Sequence, residues 1–235
     1  MKFNKTEKIE NLPRHIAFIM DGNGRWATAR AMPRKFGHRE GVKTLRKIAR
    51  HAFDRGVEFV TVYAFSTENR FRPQDEIDGL MDLIRKNFAT SFNEFVENGI
   101  KVKVLGDKSY FPDDIVEIID ELENKSANND KGVFNIALNY GARDEIVKAT
   151  IKAINSGEPI TEELISKNLY TANQPDPDII VRTGGEKRLS NFLLYQSAYS
   201  ELFFCDTLWP DFSTAELDEI ISQFSTRNRR YGKVK

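Results

Sequence analysis

The stretch His15-Ile-Ala-Phe-Ile-Met-Asp21-Gly-Asn-Gly-Arg-Trp-Ala27 joins a strand, a glycine turn and a helix start. Ile16 to Met20 form an apolar run short enough to be one buried strand. Asp21 follows at once, then Gly22-Asn23-Gly24, and Arg25 and Trp26 open a helix. A strand that ends in a glycine turn at a helix N-terminus is an anion site, because main-chain N–H groups approach the oxyanion and the helix dipole favours negative charge. A bare carboxylate beside that cradle repels phosphate, so Asp21 makes sense if a divalent metal bridges the two. The segment points to Mg²⁺ and diphosphate chemistry.

Outward from this segment, short apolar runs alternate with amphipathic stretches. Strands are expected at Ile16–Met20, Phe59–Ala64, Val102–Leu105, Phe134–Leu138, Ile179–Val181 and Leu202–Phe204, with helices near 38–54, 75–98, 112–125, 142–155, 161–168 and 213–228. This alternation predicts an α/β fold: one domain over 1–235, a mostly parallel central sheet of about six strands flanked by helices, and residues 1–12 and 228–235 as mobile tails. From Glu76 to Asn98, apolar residues recur every three or four positions, from Ile77 and Leu80 to Phe95 and Val96. They predict one continuous helix of roughly 30 Å with a single apolar stripe. That stripe is read either as core or as one wall of a hydrophobic channel between sheet and helices.

Lys plus Arg and Asp plus Glu number 35 each, so no global field draws the chain to nucleic acid. A single cysteine, Cys205, excludes an internal disulfide and a cysteine-rich zinc site, and its apolar setting reads as core. Met1 to Glu10 is too charged for a signal peptide, and no stretch approaches the roughly 20 apolar residues of a membrane span. The expected location is the cytoplasm, with peripheral contact at the inner face of a membrane.

Further polar constellations follow the other strands. Arg25, Arg30, Arg34 and Arg39 cluster early, with His38 after Gly37 at the expected start of a helix. Arginine holds phosphate bidentately and keeps its charge, which suits a diphosphate; Arg25 and Arg34 lie nearest the cradle. Ser66-Thr67-Glu68-Asn69-Arg70-Phe71-Arg72-Pro73 follows the second strand and reads equally as a substrate-contacting loop or as a helix cap. Arg182-Thr-Gly-Gly-Glu-Lys-Arg188-Leu189-Ser190-Asn191 forms a second anion-binding loop, and two such sites suggest that two phosphorylated substrates are joined. Glu201 is a second candidate metal-site carboxylate. Two rival motifs are weak: Gly22-Asn-Gly-Arg-Trp-Ala27 matches a dinucleotide fingerprint but lacks the ribose-binding acid, and Asp113-Asp-Ile-Val-Glu117 sits at a helix start where acids are expected anyway.

Taken together, these motifs resemble the cis-prenyltransferase family over about Pro13 to Phe212. The matching stretches include Met20 to Ala27, Pro33-Arg34 with Gly37-His38, Tyr63 to Asn69, Arg72-Pro73, Arg182 to Glu186, Arg188 to Leu194, Ala198 to Glu201 and Leu208 to Phe212. The resemblance implies successive cis condensations of isopentenyl diphosphate onto an allylic starter, farnesyl diphosphate, with Mg²⁺, by a homodimer that touches the membrane surface to release product. It implies Asp21 and Glu201 at the metal, and Asp21 and Asn69 as catalytic residues, Asn69 in the place of the proton acceptor. It places Gly22, Asn23, Gly24, Arg25, Trp26, Arg34 and His38 at the allylic diphosphate. Ser66, Thr67, Glu68, Arg70 and Arg72 would lie around the reacting groups, and Arg182, Arg188, Leu189 and Ser190 at isopentenyl diphosphate. It also favours the channel reading of the stripe and, with small Ala64 near the mouth, a long undecaprenyl-type product for the cell-envelope lipid carrier. Arg70 departs from the family, which usually carries Trp there, so that Phe71 becomes the candidate cover for the substrate. A shorter product, or a non-catalytic scaffold subunit, are the competing expectations.

Overall fold

The computed structural model of the chain describes residues 11–227. Six strands, β1 (His15–Ile19), β2 (Phe59–Ser66), β3 (Ile100–Leu105), β4 (Gly132–Tyr140), β5 (Ile179–Arg182) and β6 (Glu201–Phe204), form one sheet in the order β3-β4-β2-β1-β5-β6. All five pairings are parallel. The helices are α1 (Asn23–Thr28), α2 (Arg34–Arg55), α3 (Gln74–Lys86), α4 (Asn93–Glu97), α5 (Asp113–Ser126), α6 (Ala142–Asn155), α7 (Glu162–Asn168) and α8 (Thr214–Ser225).

A parallel sheet buries both faces, and β1 shows how one run serves two cores. Ile16 and Phe18 point into the larger cluster, beneath α2, α3, α5 and α8; Ala17 and Ile19 point into the smaller one around Tyr140, Phe192 and Leu193. Leu12, assigned to the tail by its sequence position, packs against the larger core. The expected tails at 1–10 and 228–235 lie outside the described residues.

Two helices differ from expectation. α2 begins at Arg34 behind Pro33, so Gly37 and His38 sit inside the helix rather than at its start. The helix expected over 75–98 is broken. α3 ends at Lys86, a π-helical turn spans Asn87–Ser91, and α4 follows. The N–H of Phe92 reaches the Asn87 carbonyl at 3.0 Å. Asn87 and Thr90 also bond the carbonyls of Leu83 and Lys86, at 2.6 and 2.7 Å, drawing carbonyls away from a regular ladder. The apolar stripe survives the break, and Phe88, Phe92 and Phe95 are all buried.

His15 opens β1 and is fully buried. Its Nδ1 lies 2.7 Å from the Pro175 carbonyl and must donate to it, while Nε2 lies 2.7 Å from Thr61 Oγ1 and accepts. Burial pushes its pKa down to about 4. The unfolded chain therefore takes up this proton first as pH falls, and stability drops between about 6.5 and about 4, by ~3 kcal/mol from this group. Urea unfolding across that range should show the loss, and His15→Gln should flatten it.

Candidate active site

The three motifs converge at the carboxyl ends of the central strands β1, β2 and β5, where open α/β sheets bind ligands. The turn after β1 is held from several sides. Gly22 takes φ +109°, which a side chain disfavours, and the Trp26 N–H closes the first turn of α1 on the Gly22 carbonyl at 2.9 Å. The Asp21 carbonyl accepts from the Trp209 N–H at 3.0 Å and from Thr183 Oγ1 at 2.8 Å. The Asp21 carboxylate, about one-third exposed, receives Arg182 at 2.9 Å and Arg25 at 3.2 Å.

Arg182 connects the first motif to the third. Its guanidinium is buried and donates to Asp21, to the Arg188 carbonyl at 2.6 Å and to Ser190 Oγ at 2.7 Å, while its Nε is buried without a partner. Beyond it, Ser190, Asn191 and Leu193 all adopt positive φ, backbone strain concentrated in one loop of the site. Asn191 donates to Glu68 at 3.0 Å, tying this loop to the second motif.

Around Asp21 lies a polar cleft of about 600 Å³ that takes in Asn23, His38, Tyr63, Ser66, Glu68, Asn69, Arg72, Arg143, Arg182, Ser190 and Asn191. Met20, Asn23, His38, Ala64 and Leu80 also line a second, apolar cavity of about 90 Å³ running inward between α2, α3 and the sheet, with Phe88 and Phe92 in its wall. Ala64 sits at the junction, at an irregularity where Tyr63 and Phe65 pair with the consecutive residues Ala137 and Leu138. A charged cleft thus opens directly into an apolar pocket.

On the α2 side, Glu76 gathers three groups. It accepts from Arg72 at 2.8 Å and from Arg34 at 3.3 Å, and it lies 3.7 Å from His38. Burial, with the Arg72 and Arg34 charges adding to it, lowers the His38 pKa, so the imidazole is neutral at pH 7. Arg34 also lies against the cradle: a Cβ on Gly24 would stand 2.8 Å from its Nε. Arg188, also exposed, pairs with Glu186 at 2.5 Å.

Several expectations need correction. The Trp26 indole donates to Asp211 at 2.7 Å beneath Arg30 and does not line the cleft. Leu189 packs, partly buried, against the smaller core and does not line the cleft. Glu201 starts β6 opposite Ile179, whereas Asp21 lies beyond the Ile19–Arg182 pair. Three residues of strand, about 10 Å, separate the two levels, so the two carboxylates cannot share an ion within one chain; Glu201 pairs with Arg227 instead. The Asn69 Oδ1 accepts the Ser66 N–H at 3.0 Å, which makes the amide a turn-former and a poor base. Cys205, by contrast, packs against the larger core as expected, and burial raises its thiol pKa. Phe71 is 88% exposed and covers nothing in the cleft.

Arg70 also points away from the cleft. Its Nε donates to Asn139 Oδ1 at 2.6 Å, and its guanidinium stands over Tyr110, 4.5 Å from the ring centre. Asn139, at φ +48°, donates in turn to the Asp107 carbonyl at 2.7 Å. Arg70 therefore staples the turn carrying Glu68 and Asn69 to the ends of β3 and β4. Arg70→Ala should cost about 1–2 kcal/mol and lower kcat/KM roughly tenfold; thermal unfolding beside steady-state kinetics checks both.

Glu76, Tyr63, Arg143 and Asn191 are site residues that sequence reasoning did not single out. Glu76 has the look of an ordinary first-turn acid; its position four residues after Arg72 is the available signal.

Fold and cleft define an α/β protein in which a cleft lined by arginines and carboxylates opens into an apolar pocket. Similarity to known proteins makes the class specific. Residues 19–232 match the family model described as "Putative undecaprenyl diphosphate synthase". An isoprenyl transferase of Fusobacterium nucleatum is 51% identical over 227 residues, 96% of this chain and 98% of that protein. Lavandulyl diphosphate synthase from Lavandula x intermedia, solved with dimethylallyl diphosphate, superposes with a TM-score of 0.90 at 32% identity, covering 94% of this chain and 99% of that one. A probable undecaprenyl diphosphate synthase from Campylobacter jejuni gives 0.81 at 35% identity, covering 95% and 100%. The chain belongs to the cis-prenyltransferase family.

Proposed function

We propose that the chain condenses isopentenyl diphosphate repeatedly onto farnesyl diphosphate and makes a long, undecaprenyl-type diphosphate for the cell-envelope lipid carrier. The observation that carries this reading is the position of Asp21, at the boundary where the cationic cleft meets the apolar cavity. There a diphosphate and its hydrocarbon tail can be held at once.

The α1 N-terminus with Gly22, Asn23, Gly24, Arg25 and Arg34 would hold the allylic diphosphate, with neutral His38 as a hydrogen-bond partner. Arg188 and Ser190 would hold isopentenyl diphosphate, and Arg182 orients both them and Asp21. The Asp21 carboxylate, about one-third exposed in the cleft, is a hard oxygen donor that suits Mg²⁺, which takes few protein ligands and completes its shell with phosphate and water. When bound, the ion neutralises charge on the departing diphosphate. Asn69 orients the reacting groups, and a diphosphate oxygen takes the proton lost after the new carbon–carbon bond forms. Among the described residues no helix is long and apolar enough to cross a membrane.

Of the exposed large hydrophobic residues, Val147, Ile151 and Ile154 form a stripe along α6, and Ile160, Leu194, Tyr199 and Leu202 add to the same half of the chain. This supports a homodimer. Ile151→Glu with Ile154→Glu should yield monomers in sedimentation analysis.

The test is incubation with Mg²⁺, farnesyl diphosphate and labelled isopentenyl diphosphate, followed by sizing of the products. Long products abolished by EDTA are expected. A short product would favour a second reading, which the small cavity supports; no incorporation from any allylic starter would overturn both.

A further inference from the structure

Arg143 stands apart from the other arginines around the cleft. Arg25 and Arg182 are held by Asp21, Arg34 and Arg72 by Glu76, and Arg188 by Glu186. Arg143 lines the same cleft and is exposed. Its guanidinium makes no hydrogen bond or ion pair among the described residues, so its planar fork of donors is unfilled.

The backbone of Arg143, in contrast, is fixed. It is the second residue of α6, and its N–H bonds Asn191 Oδ1 at 2.9 Å. The Ala142 N–H bonds the Asn191 carbonyl at 2.8 Å. Gly141 permits this approach, because a Cβ there would stand 2.7 Å from both Asn191 Nδ2 and Thr67 Oγ1. Asn191 follows Ser190 in the strained turn and donates to Glu68. The start of α6, the Ser190 turn and the turn after β2 are thus clamped together, and the Arg143 side chain leaves from that clamp. Ala142 packs in the smaller core, whereas Leu45 and Ile48 of α2 pack in the larger one. Arg143 therefore stands on the opposite face of the sheet from α2, which carries Arg34 and His38. Ser190 Oγ accepts from Arg182 at 2.7 Å, which leaves its own proton to donate.

We propose that Arg143 holds the diphosphate of isopentenyl diphosphate against the Ser190 turn, as a cation additional to Arg182 and Arg188. The proposal rests on the prenyl-transfer reading and adds a residue to its second substrate site. In that reaction the carbon–oxygen bond that breaks belongs to the allylic substrate, whose pyrophosphate leaves with the electron pair. The diphosphate on Arg143 stays attached and keeps its charge throughout the step. A contact of equal strength before and during bond formation acts on KM rather than kcat.

The test is calorimetric titration of the full chain with isopentenyl diphosphate and, separately, farnesyl diphosphate, each with Mg²⁺, beside steady-state kinetics. Arg143→Gln should weaken isopentenyl diphosphate binding about thirtyfold, the loss of one charge-assisted pair. Its KM should rise to match, with kcat and farnesyl diphosphate affinity held within about threefold. Arg143→Lys should recover part of the loss, since lysine keeps the charge without the fork. With no side-chain partner to lose, both variants should unfold at the wild-type temperature. Unchanged isopentenyl diphosphate affinity in Arg143→Gln, an equal loss for both ligands, or a fall confined to kcat would overturn the proposal and leave the prenyl-transfer reading standing. A wild-type chain that binds no isopentenyl diphosphate would overturn both.

Discussion

Asp21→Ala should abolish product formation, by ~10³-fold or more in kcat, while the protein stays folded and still binds the proposed allylic substrate, farnesyl diphosphate. The size of the effect follows from where charge develops. In the proposed reaction the diphosphate gains charge as the allylic carbon–oxygen bond breaks, and one well-placed electrostatic partner there is worth several kcal/mol. The fold survives because Arg182 keeps its bonds to the Arg188 carbonyl and Ser190 Oγ after losing the carboxylate, so the substitution costs about 1–3 kcal/mol. Steady-state product formation measured beside thermal unfolding separates the two. Collapse of the fold would identify Asp21 as a structural acid, and the catalytic assignment would have to be withdrawn.

The second large effect comes from packing. α2 crosses α1 so closely that a Cβ on Gly37 would stand 1.9 Å from the Asn23 carbonyl oxygen, a main-chain atom with no flexible end to swing aside. Gly37→Ala must push the two helices apart. It should cost about 3 kcal/mol, lowering Tm by roughly 6–12 °C, and reduce kcat/KM by ~10²-fold because the cradle at Asn23 and Gly24 moves with α1. Gly79→Ala is the internal control with the opposite sign. Gly79 lies inside α3, and a methyl group added there would meet nothing within 4 Å, so alanine should stabilise the helix by about 0.5–1 kcal/mol. If both substitutions moved Tm in the same direction, the close contact between α1 and α2 would be wrong.

The contrast between strands and side chains shows what the sequence makes legible. The strands can be read because each is a compact apolar run between polar turns, and the parallel order follows from the helices between them. The break at Asn87 cannot, since Asn87, Thr90 and Asn93 act through bonds to carbonyls four residues back, which hydrophobic spacing does not register. In the site, motifs locate Asp21, Arg34, Arg72 and Arg182 in one place but do not give side-chain direction. Trp26, Arg70 and Leu189 belong to the right segments and turn to Asp211, Asn139 and the smaller core. Glu76 and the strained turn at 190–193 depend on tertiary contacts made across the cleft, with no local pattern to betray them.

The pairing of the site's arginines has a consequence for how substrates come and go. Arg25 and Arg182 share Asp21, Arg34 and Arg72 share Glu76, and Arg188 holds Glu186, so each of these cations already has a carboxylate partner. In the proposed reaction a diphosphate entering the cleft would trade places with those partners, as a counter-ion does on an exchange resin, and each departing diphosphate would be displaced by a carboxylate returning to its place. Affinity is thereby moderated at both ends of the cycle. For the repeated condensation proposed, with pyrophosphate released after each addition, such reversible swapping would keep the site from being trapped by its own by-product.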